Sequence, residues 1–437
     1  MELLAPIGLL ASLGLIIFLA MRGASILVIG PVCSLLVILT NRMDVVSALI
    51  TAPNSYMAGV GGFITKYFLI FLLGALLAKY MEDSGAARAI AARVLRLTGT
   101  DNPFNVLMAI YFVGALLTYG GVNLYVAIFA IVPLARPLFR EINIPWHLLM
   151  IPIALGLATF TMTMLPGTPS IQNAIPATAL GTPLTSAPLL GIGGAIVSAI
   201  FGVWYMKHEL TKALARGETF GDAAADGPRG AQAELPSVMR SACPLVVLIA
   251  IIFIGSIMKI PNVILPALLI SILVAAAVFN SYIPKHVATL NGGATSAVTP
   301  AILTAAAVGF GIVIAAAPGF KVLAKWIMDI PGSPLISLSV ATSLMAAVTG
   351  SSVGSLGIIM DAFAKLYMSK GVNPEAMHRI VAMASGPMSA MPHSGAVLTL
   401  LALTGLTHKV AYRHIFMTVV VGTTLSLVAA LLLAIMI

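Results

Sequence analysis

The sequence predicts an all-α integral membrane protein, and three observations carry that prediction. The chain of 437 residues is 60% hydrophobic. Only 8% of it is charged, against about 25% in an ordinary soluble domain, so it cannot cover a water-facing surface and lipid has to be its solvent. Apolar runs such as Leu3–Ala20, Ala242–Met258 and Met417–Ile437 recur from one end to the other, and roughly 20 such residues span a bilayer as a helix. The runs are continuous, whereas a membrane β-barrel reads as short alternating segments. Helices satisfy their own backbone groups in lipid. The expectation is therefore about 10–12 transmembrane helices, some of them broken or re-entrant.

In order along the chain, apolar spans fall near 3–20, 24–40, 62–80, 103–119, 121–139, 147–165 and 188–206. Residues 207–240 are polar and divide the chain almost in half. Further spans follow near 241–258, 262–280, 297–317, 335–350, 353–369, 376–390 and 397–437, the last long enough to hold a turn near Thr407–Lys409. The expected organisation is a first membrane repeat over 1–206, a polar linker over 207–240 and a second membrane repeat over 241–437. Glu2 stands where a signal peptide would carry basic residues, which favours a retained first helix. Glu82-Asp83-Ser84-Gly85 reads as a turn leading into an Ala/Arg-rich amphipathic helix through Arg96. Cys33 and Cys243 sit in separate apolar runs, with neither metal spacing nor a disulfide framework. The net charge of +9 is scattered over loops, in keeping with cytoplasmic connections rather than a nucleic-acid partner. It is heaviest in Lys79–Arg96 and Lys207–Arg240, which places both on the cytoplasmic side.

The two halves resemble each other. Gly114–Asn123 and Leu344–Val353 are each an apolar helix running into a small, glycine-containing break. Each break is followed by another apolar helix and a basic patch, Arg136 and Arg140 in one half, Lys365 and Lys370 in the other. Next come helix starts at Asn143-Ile144-Pro145 and Asn373-Pro374-Glu375, with Asn near the cap and Pro in the first turn. Both halves then break at a proline, at Leu165–Ser170 and at Met391–Gly395. The landmarks keep their order at an offset of about 230 residues, the difference between 143 and 373, as in a two-repeat transporter.

Broken helices direct attention to the site. Backbone groups freed inside a membrane cost several kcal/mol each unless protein, water or ligand satisfies them. The N-terminal end of a half-helix carries roughly half a positive charge and outward N–H groups, so it suits an anion. Hydroxyls cluster at the breaks: Thr161, Thr163, Thr168 and Ser170, then Thr349, Ser351, Ser352 and Ser355, then Ser389 and Ser394. Small polar residues also serve close helix packing, and for an isolated serine that reading prevails. The candidate substrate-binding residues are Gly121, Asn123, Thr168, Ser170, Gly350, Ser351, Ser352, His393, Ser394 and Gly395. His393, an ionisable group between apolar stretches, is read either as a proton carrier or as a neutral imidazole hydrogen-bonded to backbone. Asp361 is the second candidate for proton coupling, unless it pairs with Lys365 four residues on. His147, His208, His286, His378, His408 and His414 lie near segment ends and are given no role. No H-E-x-x-H, G-x-S-x-G or P-loop motif is present, and neither cofactor nor metal is expected.

Gly74–Gly85, running into Ala86–Ala91, resembles the gluconate permease family, which carries a similar glycine-starting helix ending in Glu-Asp-Ser-Gly. Pro166-Gly-Thr-Pro169, Gly350-Ser-Ser-Val353 and His393-Ser394-Gly395 resemble the family's proline-rich break, its Gly-Ser helix opening and its late Asp-Ser-Gly element. The resemblance spans about residues 60–415 and implies two inverted repeats with re-entrant hairpins, of the ion-transporter superfamily. It further implies elevator-type, proton-coupled symport of a small organic anion in the bacterial cytoplasmic (inner) membrane, with a homodimer as a family trait that no residue here shows. Gly121-Val122-Asn123 replaces an acidic residue of the gluconate permeases, and the proline-rich break lacks their His. The chain therefore looks closer to a branch linked with short hydroxy acids such as 3-hydroxybutyrate. Two alternatives stay open: a sodium-coupled transporter or an exporter, using carbonyls at Gly120–Asn123 and Thr349–Ser352, and a membrane-embedded hydrolase using Ser394 or Ser352 with His393.

Overall fold

The computed structural model describes residues 3–87, 89–90, 93, 102–119, 124–168, 170–221, 235–258, 263–328 and 333–436, with the backbone alone at 252–253, 256–257, 324 and 361–362. Among the described residues every regular element is helical. The first half holds α1 (Leu4–Met21), α2 (Ile26–Thr40), α3 (Tyr56–Asp83), α4 (Pro103–Tyr119), α5 (Leu124–Glu141), α6 (Met150–Ala158), α7 (Phe160–Thr163), α8 (Ile171–Leu180) and α9 (Pro188–Ala215). The second half holds α10 (Val238–Ile257), α11 (Ile264–Val278), α12 (His286–Ala316), α13 (Pro318–Met328), α14 (Pro334–Thr349), α15 (Ser352–Ser369), α16 (Pro374–Ala384), α17 (Gly395–Thr404), α18 (His408–Ile415) and α19 (Gly422–Met436).

By length and composition six helical stretches among the described residues can cross a membrane, and six shorter apolar helices accompany them. This is a multi-pass membrane protein. Its layers follow from burial. Trp146–Thr163 is 89% buried within protein, whereas Leu4–Met21 is 39% buried, so the former is enclosed by other helices and the latter faces lipid.

Elements of similar length recur in the same order. α2 and α11 have 15 residues each, α5 and α15 have 18 each, and α8 and α17 have 10 each. α8 and α17 share more than length. Ser170 and Ser394 cap their N-termini with side-chain oxygens, and Gly181 and Gly405 close them in the left-handed conformation.

Contacts interleave the halves. The most extensive is between α3 and α12, and α9 packs along α19. α8 packs on α15 and α16, while α17 packs on α12 and α5. The α3–α12 crossing depends on glycine: a Cβ at Gly59 would lie 2.9 Å from the Cα of Gly309, and one at Gly309 would lie 2.8 Å from the Tyr56 carbonyl oxygen. Neither neighbour is a flexible side chain that can yield. Without a hydrophobic drive between helices in lipid, such close approach is what binds them.

Several expected boundaries shift. Lys207–Ala215 continues α9 instead of opening the linker, and residues 222–234 lie outside the described set. The span near 397–437 does break at the expected place, with Thr407 at the N-cap position of α18. Asn373 accepts from the backbone N–H groups of Glu375 and Ala376 at 2.8 and 3.2 Å, as a cap should. Asn143 does not cap: it sits at φ 50° and its Oδ1 accepts from the Phe220 N–H at 3.2 Å. The Glu82–Gly85 turn is present, with α3 ending at Asp83 and Gly85 at φ 75°. Most of the helix expected through Arg96 lies outside the described residues.

Gly309→Leu should destabilise the protein by about 1–3 kcal/mol through overpacking, read as a lower melting temperature in detergent. Gly14→Leu, where a Cβ meets nothing within 4 Å, should leave it unchanged.

Candidate functional site

The polar residues of the interior gather where helices stop. In the first half Ser170 accepts from the Asn173 N–H at 3.3 Å and donates to the Met162 carbonyl at 2.5 Å. Thr168, fully buried, donates to the Tyr119 carbonyl at 3.4 Å at the end of α4. The two first-half breaks therefore lie against each other. The second half does the same. Gly350 closes α14 at φ 58°, and a Cβ there would lie 3.0 Å from the Cα of Ser394 and 3.5 Å from Cδ2 of His393. Ser351 then caps α15 by accepting from the Gly354 N–H at 3.2 Å, and Ser394 caps α17 by accepting from the Val397 N–H at 3.4 Å.

Between the serine caps, Gln172 Nε2 of the first half donates to Ser352 Oγ of the second at 3.4 Å. A continuous path of contacts thus links three helix N-termini, from Ser170 through Gln172 to Ser352 and Ser351, and from Gly350 to Ser394. Each start carries partial positive charge, and its cap engages one N–H of the first turn. Gly395 enters through its carbonyl, which accepts from Thr304 Oγ1 of α12 at 3.1 Å.

His393 differs from its neighbours. It is fully buried and its ring stands edge-on to Phe310, 6.0 Å between centroids at 86°. The Ala347 and Val348 backbone lies within reach of the ring as a weak hydrogen-bond partner, but neither imidazole nitrogen makes a hydrogen bond of good geometry. Among the described buried side chains, only the Ser198 hydroxyl shares that condition.

Other candidates fall elsewhere. Gly121 and Asn123 lie outside the described residues, as does the side chain of Asp361. The Asp361 backbone sits nine residues along α15 from Ser352, about 13 Å at the helical rise. Thr163, Ser355 and Ser389 turn back to their own chain, on Thr159, Ser352 and Gly386 carbonyls at 2.9, 3.0 and 2.7 Å. Thr161 joins Thr118 at 2.7 Å between α7 and α4. These hydroxyls hold helices together. Cys33 and Cys243 are unbonded. Among the described residues no group of three His, Cys, Asp or Glu side chains is placed to hold a metal.

Sequence reasoning missed the densest polar node. Arg379 of α16 is fully buried. Its guanidinium donates to the Ser186 carbonyl from Nε at 3.1 Å and from NH2 at 3.0 Å, and to the Leu184 carbonyl at 3.1 Å. NH1 reaches Asn173 Oδ1 at 3.3 Å and the Thr163 carbonyl at 3.4 Å. No carboxylate among the described residues pairs with it. Beside it His378 Nε2 lies 2.8 Å from Asn173 Oδ1 and its Nδ1 lies 2.7 Å from Thr182 Oγ1. The Asn173 amide nitrogen donates to the Thr168 and Leu184 carbonyls at 2.8 and 2.9 Å. Its Oδ1 must therefore accept, so neutral His378 carries its proton on Nε2. The one sequence signal was the adjacency of His378 and Arg379 ahead of an apolar run.

Two cavities flank this region without bordering the breaks. A small one lies among Gly74, Leu77, Phe129 and Leu268, and a larger polar one lies near His147 and Glu209.

Serine-capped helix starts linked by contacts in the buried interior of a multi-pass membrane protein are the arrangement of a membrane transporter. The family described as GntP family permease matches residues 4–437, and this chain belongs to it. "Uncharacterized transporter YxjC" of Bacillus subtilis (strain 168) is 36% identical over 461 aligned positions, covering 95% of this chain and 96% of that protein. "Gluconate permease" of the same organism is 32% identical over 106 positions, covering 24% of this chain and 22% of that protein. The family and these relatives are permeases and transporters, so the hydrolase alternative falls away.

Gly350→Ala should impair transport, because it adds left-handed strain of about 1–2 kcal/mol and drives a methyl into Ser394. Gly371 has φ 78° but open space around it. Gly371→Ala therefore isolates the strain, and uptake rates should fall much less in that variant than in Gly350→Ala.

Proposed function

We propose that this chain is a proton-coupled symporter of a small organic carboxylate in the bacterial cytoplasmic membrane, with a short hydroxy acid such as 3-hydroxybutyrate, or gluconate, as substrate. The carrying observation is His393: buried, without a hydrogen bond of good geometry on either nitrogen, and beside the Ser394 cap and the Gly350 break. A buried polar group without a partner costs roughly 1–3 kcal/mol, and a role in proton exchange is a reason to keep it. Family membership supports transport. The helix starts at Ser170, Ser351 and Ser394 supply partial positive charge for a carboxylate without a full cation. The match to a gluconate permease covers too little of either protein to choose the acid.

In this reading the two halves are inverted repeats and their breaks are re-entrant hairpins. The breaks move as one body, because Gln172–Ser352 and Arg379–Ser186 tie them together. They move against a scaffold that includes α3 and α12, in elevator-type alternating access. The sliding boundary runs along α12, where Thr304 touches Gly395 and Thr399 at 3.1 and 3.0 Å.

Uptake into proteoliposomes tests the proposal, using labelled 3-hydroxybutyrate, gluconate, lactate and citrate under an imposed proton gradient and then a sodium gradient. Concentrative uptake of one acid under the proton gradient is expected. Accumulation driven by sodium alone overturns the proton coupling, and no uptake under either gradient by folded protein overturns the substrate class. His393→Gln should abolish pH-driven accumulation yet keep exchange of substrate across the membrane. Undiminished pH-driven accumulation in that variant would remove His393 from the mechanism and leave Asp361.

A further inference from the structure

The larger cavity, about 210 Å³, opens where the end of α9, the start of α18 and the turn at His147 meet. Its charged lining is Lys212, Arg216, Lys409 and Arg413 against Glu209 and Glu218. Both carboxylates are already engaged: Glu209 with Arg413 at 3.2 Å, and Glu218 with Arg216 at 3.5 Å. Among the described residues no carboxylate pairs with Lys212 or Lys409. Four cations against two carboxylates leave the cavity positive by two.

The floor is rigid. His147 and His414 stack face to face, 5.2 Å between centroids at 8°, and His414 Nδ1 is fixed at 3.0 Å from the Tyr205 hydroxyl. The surroundings are apolar and open. Val410 on the rim is 49% exposed, and Leu214 and Trp204, on the helix that carries Lys212, are 46% and 58% exposed. Trp204 stacks on His208, 5.6 Å between centroids at 14°, the arrangement of an indole at the membrane–water interface. A positive, headgroup-sized hollow at the ends of membrane helices, with exposed Val410 on its rim, suits an amphiphile whose polar end is anionic. Lys and Arg bind phosphate oxygens by charge-assisted hydrogen bonds, and basic pockets between transmembrane helices take acidic headgroups.

We propose that this cavity binds the phosphate of an anionic phospholipid, held by Lys212 and Lys409, with its acyl chains leaving past Val410 on the rim. The site is separate from the helix breaks. Native mass spectrometry of the full chain from nanodiscs of equal phosphatidylglycerol and phosphatidylethanolamine tests it. Wild-type protein should retain phosphatidylglycerol in preference, and K212A/K409A should retain less by a factor of about thirty, at about 1 kcal/mol for each basic residue. The charge-matched K321A/K325A, away from the cavity, should behave as wild type, and K212Q/K409Q with an unchanged melting temperature guards against misfolding. Undiminished retention in K212A/K409A overturns the proposal, as does an equal loss in K321A/K325A. Wild-type binding of inorganic phosphate or glycerol phosphate, without preference for phosphatidylglycerol, also overturns it and makes the cavity a site for a soluble anion.

Discussion

A helix that stops within a bilayer frees backbone carbonyls and N–H groups that water cannot reach, and satisfying them governs this fold. At the first break the carbonyls of Thr163, Thr168, Leu184 and Ser186 are taken by Arg379 and Asn173, with His378 holding Asn173 in place. At the second break Tyr412 donates to the Ala390 carbonyl at 3.0 Å, and His408 Nε2 lies 2.7 Å from the Pro392 carbonyl. The far end of α17 is held from the first half, where the Trp146 indole and Arg136 donate to the Thr404 carbonyl at 2.9 and 3.1 Å. Arg379 of the second half thus helps satisfy the first break, and Trp146 and Arg136 of the first half hold the far end of α17, while the second break itself is met from its own half.

That reciprocity sets His393 apart. Around it hydroxyls turn back on the chain, caps are made and carbonyls are met, while neither imidazole nitrogen makes a hydrogen bond of good geometry. Tight packing explains the burial, since Gly350 admits the Ser394 backbone and Phe310 closes one side. Packing alone does not explain why a ring with two polar atoms occupies the place, because an apolar side chain of similar size would fill it without the desolvation cost. A group that must gain and lose a proton during a cycle fits the position, as the proposed coupling requires.

The interruptions were legible because Pro, Gly and Ser announce them locally: Pro166 and Pro392, Ser170 and Ser394, Gly350 before Ser351. Arg379 was not. Nothing in its own neighbourhood distinguishes an arginine heading for solvent from one heading for backbone carbonyls, and its acceptors belong to a segment 163–187 folded against it. Asn143 misled for a related reason: an asparagine before a proline looks like a cap, but its side chain is spent on Phe220 in another segment. The junction of 206 and 207 was misplaced because charge signals the end of the hydrocarbon layer rather than the end of a helix, and α9 continues two turns beyond it.

The engagement of Arg379 bears on how a small carboxylate is held. Its donors face the Ser186, Leu184 and Thr163 carbonyls and Asn173 Oδ1, so the one fully buried arginine among the described residues is occupied with structure. In the proposed site the attraction for an anion then falls to helix N-termini, each worth about half a charge spread over several N–H groups. A full cation desolvated against a carboxylate binds strongly and is costly to separate, which suits a structural ion pair better than a carrier. Distributed partial charges favour the anion while leaving no single strong bond to break on release. A carrier has to let go on the far side of the membrane as readily as it takes hold, and a site built from capped half-helices meets both demands with the arginine kept for the scaffold of the break itself.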